Sequence, residues 1–449
     1  MQKQCRPQRI SGVLELLPEE QLAFDKFRSV VLKHFQRYGA APIETPAFER
    51  EEVLRAKGGD EIRTQIFSLS RFNGATEDTT TGLGLHYDLT VPLARYVAQR
   101  SHDLTFPFRR SQIQPVWRGE RAQAGRYREF YQADYDIVGD GSLDITADAE
   151  PPAIINSIFD ELAIGEFRIR ISNRKILQGF LVSLNLSDLQ ATKAMQLVDR
   201  LDKRGRAAVQ QMLTKDAALT EQAANDLLEF VSHPVPLGDI RGALRTFSDN
   251  AMFETGLAEL STVIEYALLF GVPPERLKVD LSVARGLDYY TGTVYETHLV
   301  SQEIGSICSG GRYDDLAGYF TDRQFPGVGI SIGLTRLVPR LLQCGILQSK
   351  GATPALALLT TIDHGLRPYY ATLATTLRKE GIPVELYLEQ HKLSQQLRYA
   401  SRKGFPYALI VGADEHARGS VQVRNLQTGT QLEVMQNTLA AMLGAERAG

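Results

Sequence analysis

Residues 116–139, VWRGERAQAGRYREFYQADYDIVG, decide how this chain is read. Two extended segments flank a charged loop that contains glycine. In the second segment Arg128, Phe130, Gln132, Asp134 and Asp136 share one face, while Tyr131, Ala133, Tyr135 and Ile137 share the other, because successive side chains of a strand alternate sides. One face packs. The other displays a cation, an aromatic plate, an amide and two carboxylates. Upstream, Arg118 and Glu120 are in phase with each other, and Arg126 closes the loop. Taken alone, the pattern also describes an amphipathic hairpin with a solvated face; the neighbouring stretches decide between the two.

Immediately upstream, residues 83–98 read LGLHYDLTVPLARYVA. His86, Asp88 and Thr90 alternate on one side, and Pro92 is expected to start a helix. Asp88 or Thr90 then serves as its N-cap, or a carboxylate and a hydroxyl are displayed together for a substrate amine. Further upstream, Leu17-Pro18-Glu19-Glu20 opens a helix, with proline in the first turn and acids against the positive end of the dipole. Leu22, Phe24, Phe27, Val30, Val31 and Phe35 recur at helical spacing up to Gly39, and a short extended run ends at Pro46. This is a packing or dimer element rather than a catalytic one.

Downstream, residues 173–255 change character: Leu, Ala, Lys and Gln dominate, and Ala194, Leu197, Val198 and Leu201 follow the i, i+3, i+4 pattern. The segment reads as a helical unit inserted into an α/β core, with Lys203, Arg204 and Arg206 as a solvated helix end. Then come RGLDYYTG (285–292), with Tyr289 and Tyr290 on a glycine-bounded turn, GGRYD (310–314), and GVGISIGLTRL (327–337), which carries Arg336 in the first turn of a helix. Paired glycines such as Gly310 and Gly311 let a backbone approach something closely. From Thr353 onward strands and helices alternate as a separate α/β unit. It has no GxGxxG after its first strand, and Lys392, Arg398, Arg402 and Lys403 place positive charge along one helix.

The bulk numbers narrow the class. At 449 residues the chain exceeds one ordinary core, and a prior of roughly 150 residues per domain suggests about three. A formal net charge of -3 leaves any nucleic-acid contact to local patches. Cys5, Cys308 and Cys344 are widely spaced, which argues against a disulfide framework or a structural zinc and for a reducing compartment. No apolar h-region follows the charged stretch from Lys3 to Arg9, and no apolar run approaches the ~18 residues of a membrane span. A cytoplasmic protein is expected.

Assembled, these stretches resemble the class II aminoacyl-tRNA synthetases, and among them the histidyl-tRNA synthetases. WRGERAQAGRYREFYQ resembles the second motif of that class and GISIGLTRL the third, while the helix–strand–Pro46 unit is similar to the first, which builds the dimer. RGLDYYTGTVYE and GGRYDDL resemble the two signatures peculiar to the histidine enzymes. The resemblance implies an α+β fold: an antiparallel catalytic core in two parts (1–172 and 256–345), a helical insertion (173–255) and an anticodon-binding α/β domain (353–449). It implies ATP with Mg²⁺, L-histidine and tRNA(His) as partners, a homodimer, and no protein-bound metal site.

Position by position, the resemblance assigns Arg118 to the ATP α-phosphate, Phe130 to adenine, Arg336 to the far end of the nucleotide, and Glu120 and Arg126 to the same ligand. Arg285 lies between the α-phosphate and the histidine carboxylate, and with Arg118 forms the catalytic pair. Asp88, Thr90 and Gln132 bind the α-amino group, and Asp136 with Tyr290 the imidazole. Leu89, Tyr289, Gly310, Gly311 and Tyr313 complete the histidine site. Gln123 meets the acceptor end of the tRNA, and Arg398 contacts it from the C-terminal unit. Fixed arginines suit this chemistry, since carboxylate attack on a phosphate builds up negative charge. Four positions depart from the family pattern: His86 stands for a usual arginine, Ala122 for a proline, Asp136 for a glutamate in many bacterial members, and Thr335 for an acid. A regulatory paralogue of histidine biosynthesis that charges no tRNA is the alternative, with a tRNA-binding module lacking chemistry as a third reading.

Overall fold

The computed structural model describes residues 6–56, 64–70, 80–121, 125–284, 286, 289–300, 305–348 and 351–448. Arg285, Gln123, Ala122 and Cys5 therefore lie outside the described residues. The chain forms two compact units, one of Met1–Glu15 with Phe27–Ile346 and the other of Leu16–Lys26 with Leu347–Gly449.

The first unit is built on an eight-stranded sheet. In chain order its strands are β1 (Ala41–Pro42), β5 (Phe108–Trp117), β6 (Glu129–Val138), β7 (Phe167–Asn173), β8 (Leu277–Val279), β9 (Thr293–Leu299), β10 (Ser306–Tyr313) and β11 (Gly327–Gly333). A smaller sheet holds β2 (Phe48–Arg50), β3 (Ser68–Ser70) and β4 (Thr80–Leu85). The large sheet runs β1-β5-β6-β11-β10-β9-β7-β8, antiparallel throughout except for the β1·β5 and β7·β8 pairs. The expected hairpin is its centre: β5 and β6 pair from Phe108↔Val138 to Trp117↔Glu129. The alternation read from sequence holds there. Ala133, Tyr135 and Ile137 are fully buried on the packed face, where Tyr135 meets Phe35 of the Pro18–Arg37 helix at 5.7 Å between ring centroids.

Parallel neighbours cannot be joined by a tight turn and need a long crossover. The helical segment supplies it, leaving after β7 and returning before β8. Its last long helix is Ala251–Leu269, so the boundary expected at 255 falls inside a helix. Phe253, Leu257, Leu260, Val263 and Ile264 of that helix are buried in one continuous apolar stripe, and this is why it cannot be cut there.

The helix after β4 begins at Thr90, two residues before the expected Pro92. The reason is Asp88, whose Oδ1 accepts the Thr90 and Val91 amides at 3.2 and 3.0 Å.

The second unit has the expected alternation in a mixed sheet: β13 (Val384–Leu386), β12 (Ala357–Leu359), β14 (Tyr407–Ile410), β15 (Ser420–Asn425) and β16 (Gln431–Met435), in that spatial order. The helices Arg367–Lys379 and Leu393–Lys403 match the sequence reading, whereas Ala413–Arg418 and Leu439–Ala448 were not anticipated.

Glycines clear the site face of the large sheet. A Cβ on Gly329 would lie 2.1 Å from Asp136 Oδ1 and 2.7 Å from the Tyr135 carbonyl oxygen, and one on Gly327 would lie 2.4 Å from the Tyr313 ring. Gly329→Ala is expected to destabilise the protein by about 1–3 kcal/mol through overpacking, read from the midpoint of chemical denaturation; an unchanged midpoint would show that the sheet gives way at no cost.

Candidate active site

Strand pairing arranges the site residues in cross-strand rows. One row runs Arg170, Glu296, Ser309, Ser331, Asp134, Gln112 across β7, β9, β10, β11, β6 and β5. The next runs Ser172, Val294, Gly311, Gly329, Asp136, Arg110. Gln132 pairs with Gly333 and Gln114 in a third. All of these project from the same face.

Above this face lies a cavity of about 1160 Å³. Every described residue assigned to ATP lines it: Arg118, Glu120, Arg126, Phe130 and Arg336. The Arg118 guanidinium lies between aromatic plates, 4.3 Å from the Tyr87 ring centroid and 4.9 Å from that of Phe130, and its Nε donates to the Tyr87 carbonyl at 3.3 Å. Stacking and one backbone bond fix the plane of a permanently charged group, the preorganisation an anion site needs. Glu120 and Arg126 pair at 3.4 Å across the loop.

Of the described residues assigned to histidine, Arg118 and Gln132 line the cavity. Gln132 Nε2 donates to Ser331 Oγ at 2.6 Å, while its Oε1 is buried with no hydrogen-bond partner among the described residues. Asp88 caps the helix through Oδ1, as the capping reading expects, and accepts from Tyr289 Oη through Oδ2 at 3.0 Å. Thr90 opens the same helix, and the Leu89 side chain is fully buried in the core. Asp136 takes Arg110 Nη2 at 2.8 Å on Oδ2 and Tyr313 Oη at 2.9 Å on Oδ1. Burial raises its carboxyl, opposed by Arg110 and Tyr313. Tyr290 fits against two glycines: a Cβ on Gly286, at φ 64°, would lie 2.2 Å from its ring, and one on Gly311 2.8 Å away. Burial raises the Tyr290 hydroxyl, and Asp136 and Asp134 add to the rise.

Two expectations need correcting. Gly310 belongs to the opposite row, between Ile330 and Tyr295, where a Cβ would strike the Gly329 carbonyl oxygen at 2.1 Å; it serves sheet packing and not the site face. Lys203 is not merely a solvated helix end. With Asp199 and Asp202 it forms the far wall of the cavity, where Asp202 pairs with Arg170. Sequence carried no signal for that wall, because it depends on where the crossover folds back. Arg110 was also missed: its side chain is fully buried, shared between Asp134 and Asp136. Arg398 is exposed on the Leu393–Lys403 helix of the other unit, beside exposed Lys392 and Arg402, whereas Lys403 is tied to Glu385 at 2.7 Å.

The residues 12–337 match the family model for histidyl-tRNA synthetase, and 355–446 that for an anticodon-binding domain. The chain belongs to the histidyl-tRNA synthetase family. It is 43% identical to the histidine–tRNA ligase of Xylella fastidiosa (strain M23) and 41% identical to that of Stenotrophomonas maltophilia (strain K279a), each over 98% of both chains. The crystal structure of histidyl-tRNA synthetase from Nostoc sp. PCC 7120 superposes with a TM-score of 0.89 at 40% identity, over 99% of this chain and 100% of that one.

Two departures from the histidyl-tRNA synthetase pattern have local explanations. Thr335 is buried and its Oγ1 accepts the Tyr131 amide at 2.8 Å. His86 is fully buried, with Nδ1 3.0 Å from the Pro46 carbonyl oxygen, Nε2 2.7 Å from that of Pro115, and its ring 5.3 Å from that of Trp117. The imidazole thus lies between two carbonyls on separate segments, and a ring with one N–H donates to one of them. His86→Phe keeps the ring but leaves that carbonyl without its donor. An orphaned buried group costs about 1–3 kcal/mol, so a loss of that order is expected in chemical denaturation, and a loss below 0.5 kcal/mol (about the scatter of neutral substitutions) would contradict the stapling role.

Proposed function

We propose that this protein activates L-histidine with ATP and transfers it to tRNA(His). The histidine carboxylate attacks the α-phosphorus of ATP, the bond to the β-phosphate oxygen breaks, and pyrophosphate leaves. A hydroxyl of the terminal tRNA ribose then displaces AMP from the acyl carbon. The observation that carries this reading is one cavity wall on which Arg118, Phe130 and Arg336 stand beside Gln132, whose Oε1 has no hydrogen-bond partner among the described residues. With it go the Asp88–Tyr289 and Asp136–Tyr313 hydrogen bonds, in a chain of this family.

In this reading Arg118 stabilises the charge that grows on the α-phosphate, Phe130 carries the adenine and Arg336 the far end of the nucleotide. Gln132 and Asp88 receive the ammonium group. Arg285, outside the described residues, is assigned here to the space between phosphate and carboxylate. Mg²⁺ accompanies the ATP phosphates, and Glu120 is a carboxylate on that wall, in keeping with an ion that retains several waters and uses one or two carboxylates. The core in two parts, the helical insertion over 173–255 and the anticodon-binding domain form the working division of the chain. The Pro18–Arg37 helix with β1 is the dimer element, and the site of action is the cytoplasm. Regulatory paralogues typically lack an anticodon-binding domain; the match over 355–446 disfavours that alternative.

Pyrophosphate exchange tests the core of the proposal: with ATP and Mg²⁺ it is expected for histidine and for no other amino acid. Exchange with a different amino acid, or with none, would overturn the assignment. Arg118→Ala should lower kcat for adenylate formation by about 10²–10³, the effect of removing one preorganised donor to a developing charge, and an effect confined to the KM for ATP would make Arg118 a binding residue only. Arg398→Glu combined with Arg402→Glu should depress aminoacylation far more than exchange; equal losses would remove this helix from tRNA binding.

A further inference from the structure

Arg174 is the first residue of the Arg174–Ser183 helix, where the chain leaves β7 for the crossover. By sequence it belongs to the helical segment, yet the fold sets it against the RGLDYYTG turn. Its Nη1 donates to the Tyr290 carbonyl at 2.5 Å and, more distantly, to the Gly286 carbonyl at 3.4 Å. Its backbone amide donates to the Gly292 carbonyl at 2.8 Å. One residue therefore takes three carbonyls of the turn. The Gly286 carbonyl also accepts the Tyr289 and Tyr290 amides, both at 2.9 Å, so the guanidinium closes the same short turn that carries the two tyrosines. Carbonyls withdrawn from water need donors, and arginine supplies them with a charge that no pH near neutrality removes.

Arg174 is itself held by its neighbours. Asn173, fully buried, accepts the Lys175 amide at 2.9 Å and donates to Glu259 at 2.8 Å, and Lys175 pairs with the other Glu259 oxygen at 2.5 Å. Glu259 lies on the Ala251–Leu269 helix, which packs so closely on Arg174–Ser183 that a Cβ on Gly179 would lie 2.7 Å from the Phe253 amide nitrogen. The opposite side of the turn is tied to β10. There the Thr291 amide donates to the Arg312 carbonyl at 2.8 Å and the Thr291 hydroxyl to Asp314 at 2.6 Å. Between these two anchors Tyr289 reaches Asp88.

We propose that Arg174 is a positioning residue for the activation step, fixing Tyr289 and Tyr290 through the carbonyls of their turn. The inference rests on the histidine-activating function proposed above. Arg174 is not among the described residues that line the cavity, so it acts through the turn and not on a ligand. A turn anchored on β10 alone would pivot about Thr291, and the Tyr289 hydroxyl would leave Asp88. Misplacing a site group by about 1 Å costs on the order of 10²-fold in rate. A loss of general stability is a different outcome, because it lowers the thermal midpoint and weakens the handling of both substrates alike.

The test compares two variants of the full-length protein in histidine-dependent pyrophosphate exchange. Arg174→Met keeps the length of the side chain without its donors, and Arg174→Lys can set one ammonium where Nη1 stands. Arg174→Met should lower kcat by about 10²-fold with the KM for ATP within about two-fold, and Arg174→Lys should lose only about ten-fold. Hydrogen–deuterium exchange reads the turn without substrates: the Tyr289 and Tyr290 amides should lose protection in Arg174→Met while those of β5 and β6 keep theirs. Arg174→Met combined with Tyr289→Phe should cost less than the product of the two single losses, since both act through one turn. A kcat within about two-fold of the unsubstituted protein, an equal loss in the handling of ATP, unchanged protection of the turn, or the full product in the double variant overturns the proposal. If Arg174→Met does not fold, the loss in Arg174→Lys with an unchanged KM for ATP decides, and its absence overturns the proposal. If the unsubstituted protein shows no histidine-dependent pyrophosphate exchange, it is the functional reading that fails, and protection of the turn still shows whether Arg174 holds it.

Discussion

The site depends on the register between Glu129–Val138 and Gly327–Gly333. In that register Asp134 faces Ser331 and Asp136 faces Gly329, and neither arrangement survives a shift. Because side chains alternate at every residue, a slip of one position would send Gln132, Asp134 and Asp136 to the packed face and Tyr135 and Ile137 to the cavity. The register is pinned from both sides. On the packed face Tyr135 donates to Glu150 at 2.9 Å and packs on Phe35. On the site face the absent side chain of Gly329 is the space that Asp136 occupies. Sheet pairing, core packing and ligand geometry are thus one constraint expressed on three levels.

Charge burial follows from the same geometry. Arg110 with Asp134 and Asp136 lies on the site face, and Arg312 with Asp148 on the other, the latter with further bonds from Arg312 to the Leu143 and Asp144 carbonyls. Buried pairs of this kind rarely add net stability, since the desolvation of both partners offsets their attraction. What they add is position. Within GGRYD, Arg312 anchors β10 through its packed side while its neighbour Tyr313 reaches Asp136 on the other, so adjacent residues of one signature do opposite jobs.

Much of this was legible before any coordinates. The alternation in EFYQADYDIV places the aromatic, amide and carboxylates on one face by strand geometry alone, whereas Arg128 lies in a bend before the strand, and the long first helix and the α/β order of the C-terminal unit follow from apolar spacing. Cross-strand neighbours were not legible, because register is a tertiary property. FRRSQIQPVW does not say that Arg110 will lie opposite Asp136, and GGRY does not say that Gly310 will fall on the packed face while Gly311 supports Tyr290. Gly286 could be marked as special from RGLDYY, but not as the residue whose missing Cβ admits the Tyr290 ring. The short helices Ala413–Arg418 and Leu439–Ala448 escaped for a different reason: the first is a single capped turn and a half, and the second buries only Leu439 and Leu443 within its described side chains.

The crossover connects the sheet's topology to the shape of the cavity. A parallel β7·β8 pair requires a long excursion, and this one returns its Leu201–Arg204 turn to the cavity opposite the arginines. Arg170 is where it lands. Two of the acids around Arg170 belong to the core, Asp280 at 2.9 Å and Glu296 at 3.7 Å, and both are buried; Asp202, from the crossover, is 58% exposed. Removing Asp202 from Arg170 leaves the guanidinium still compensated from within the sheet. An ion pair with one partner so exposed contributes on the order of 1 kcal/mol or less. Arg118 is fixed by stacking and a backbone bond, whereas Asp202 reaches Arg170 at a guanidinium that the core's own acids already compensate.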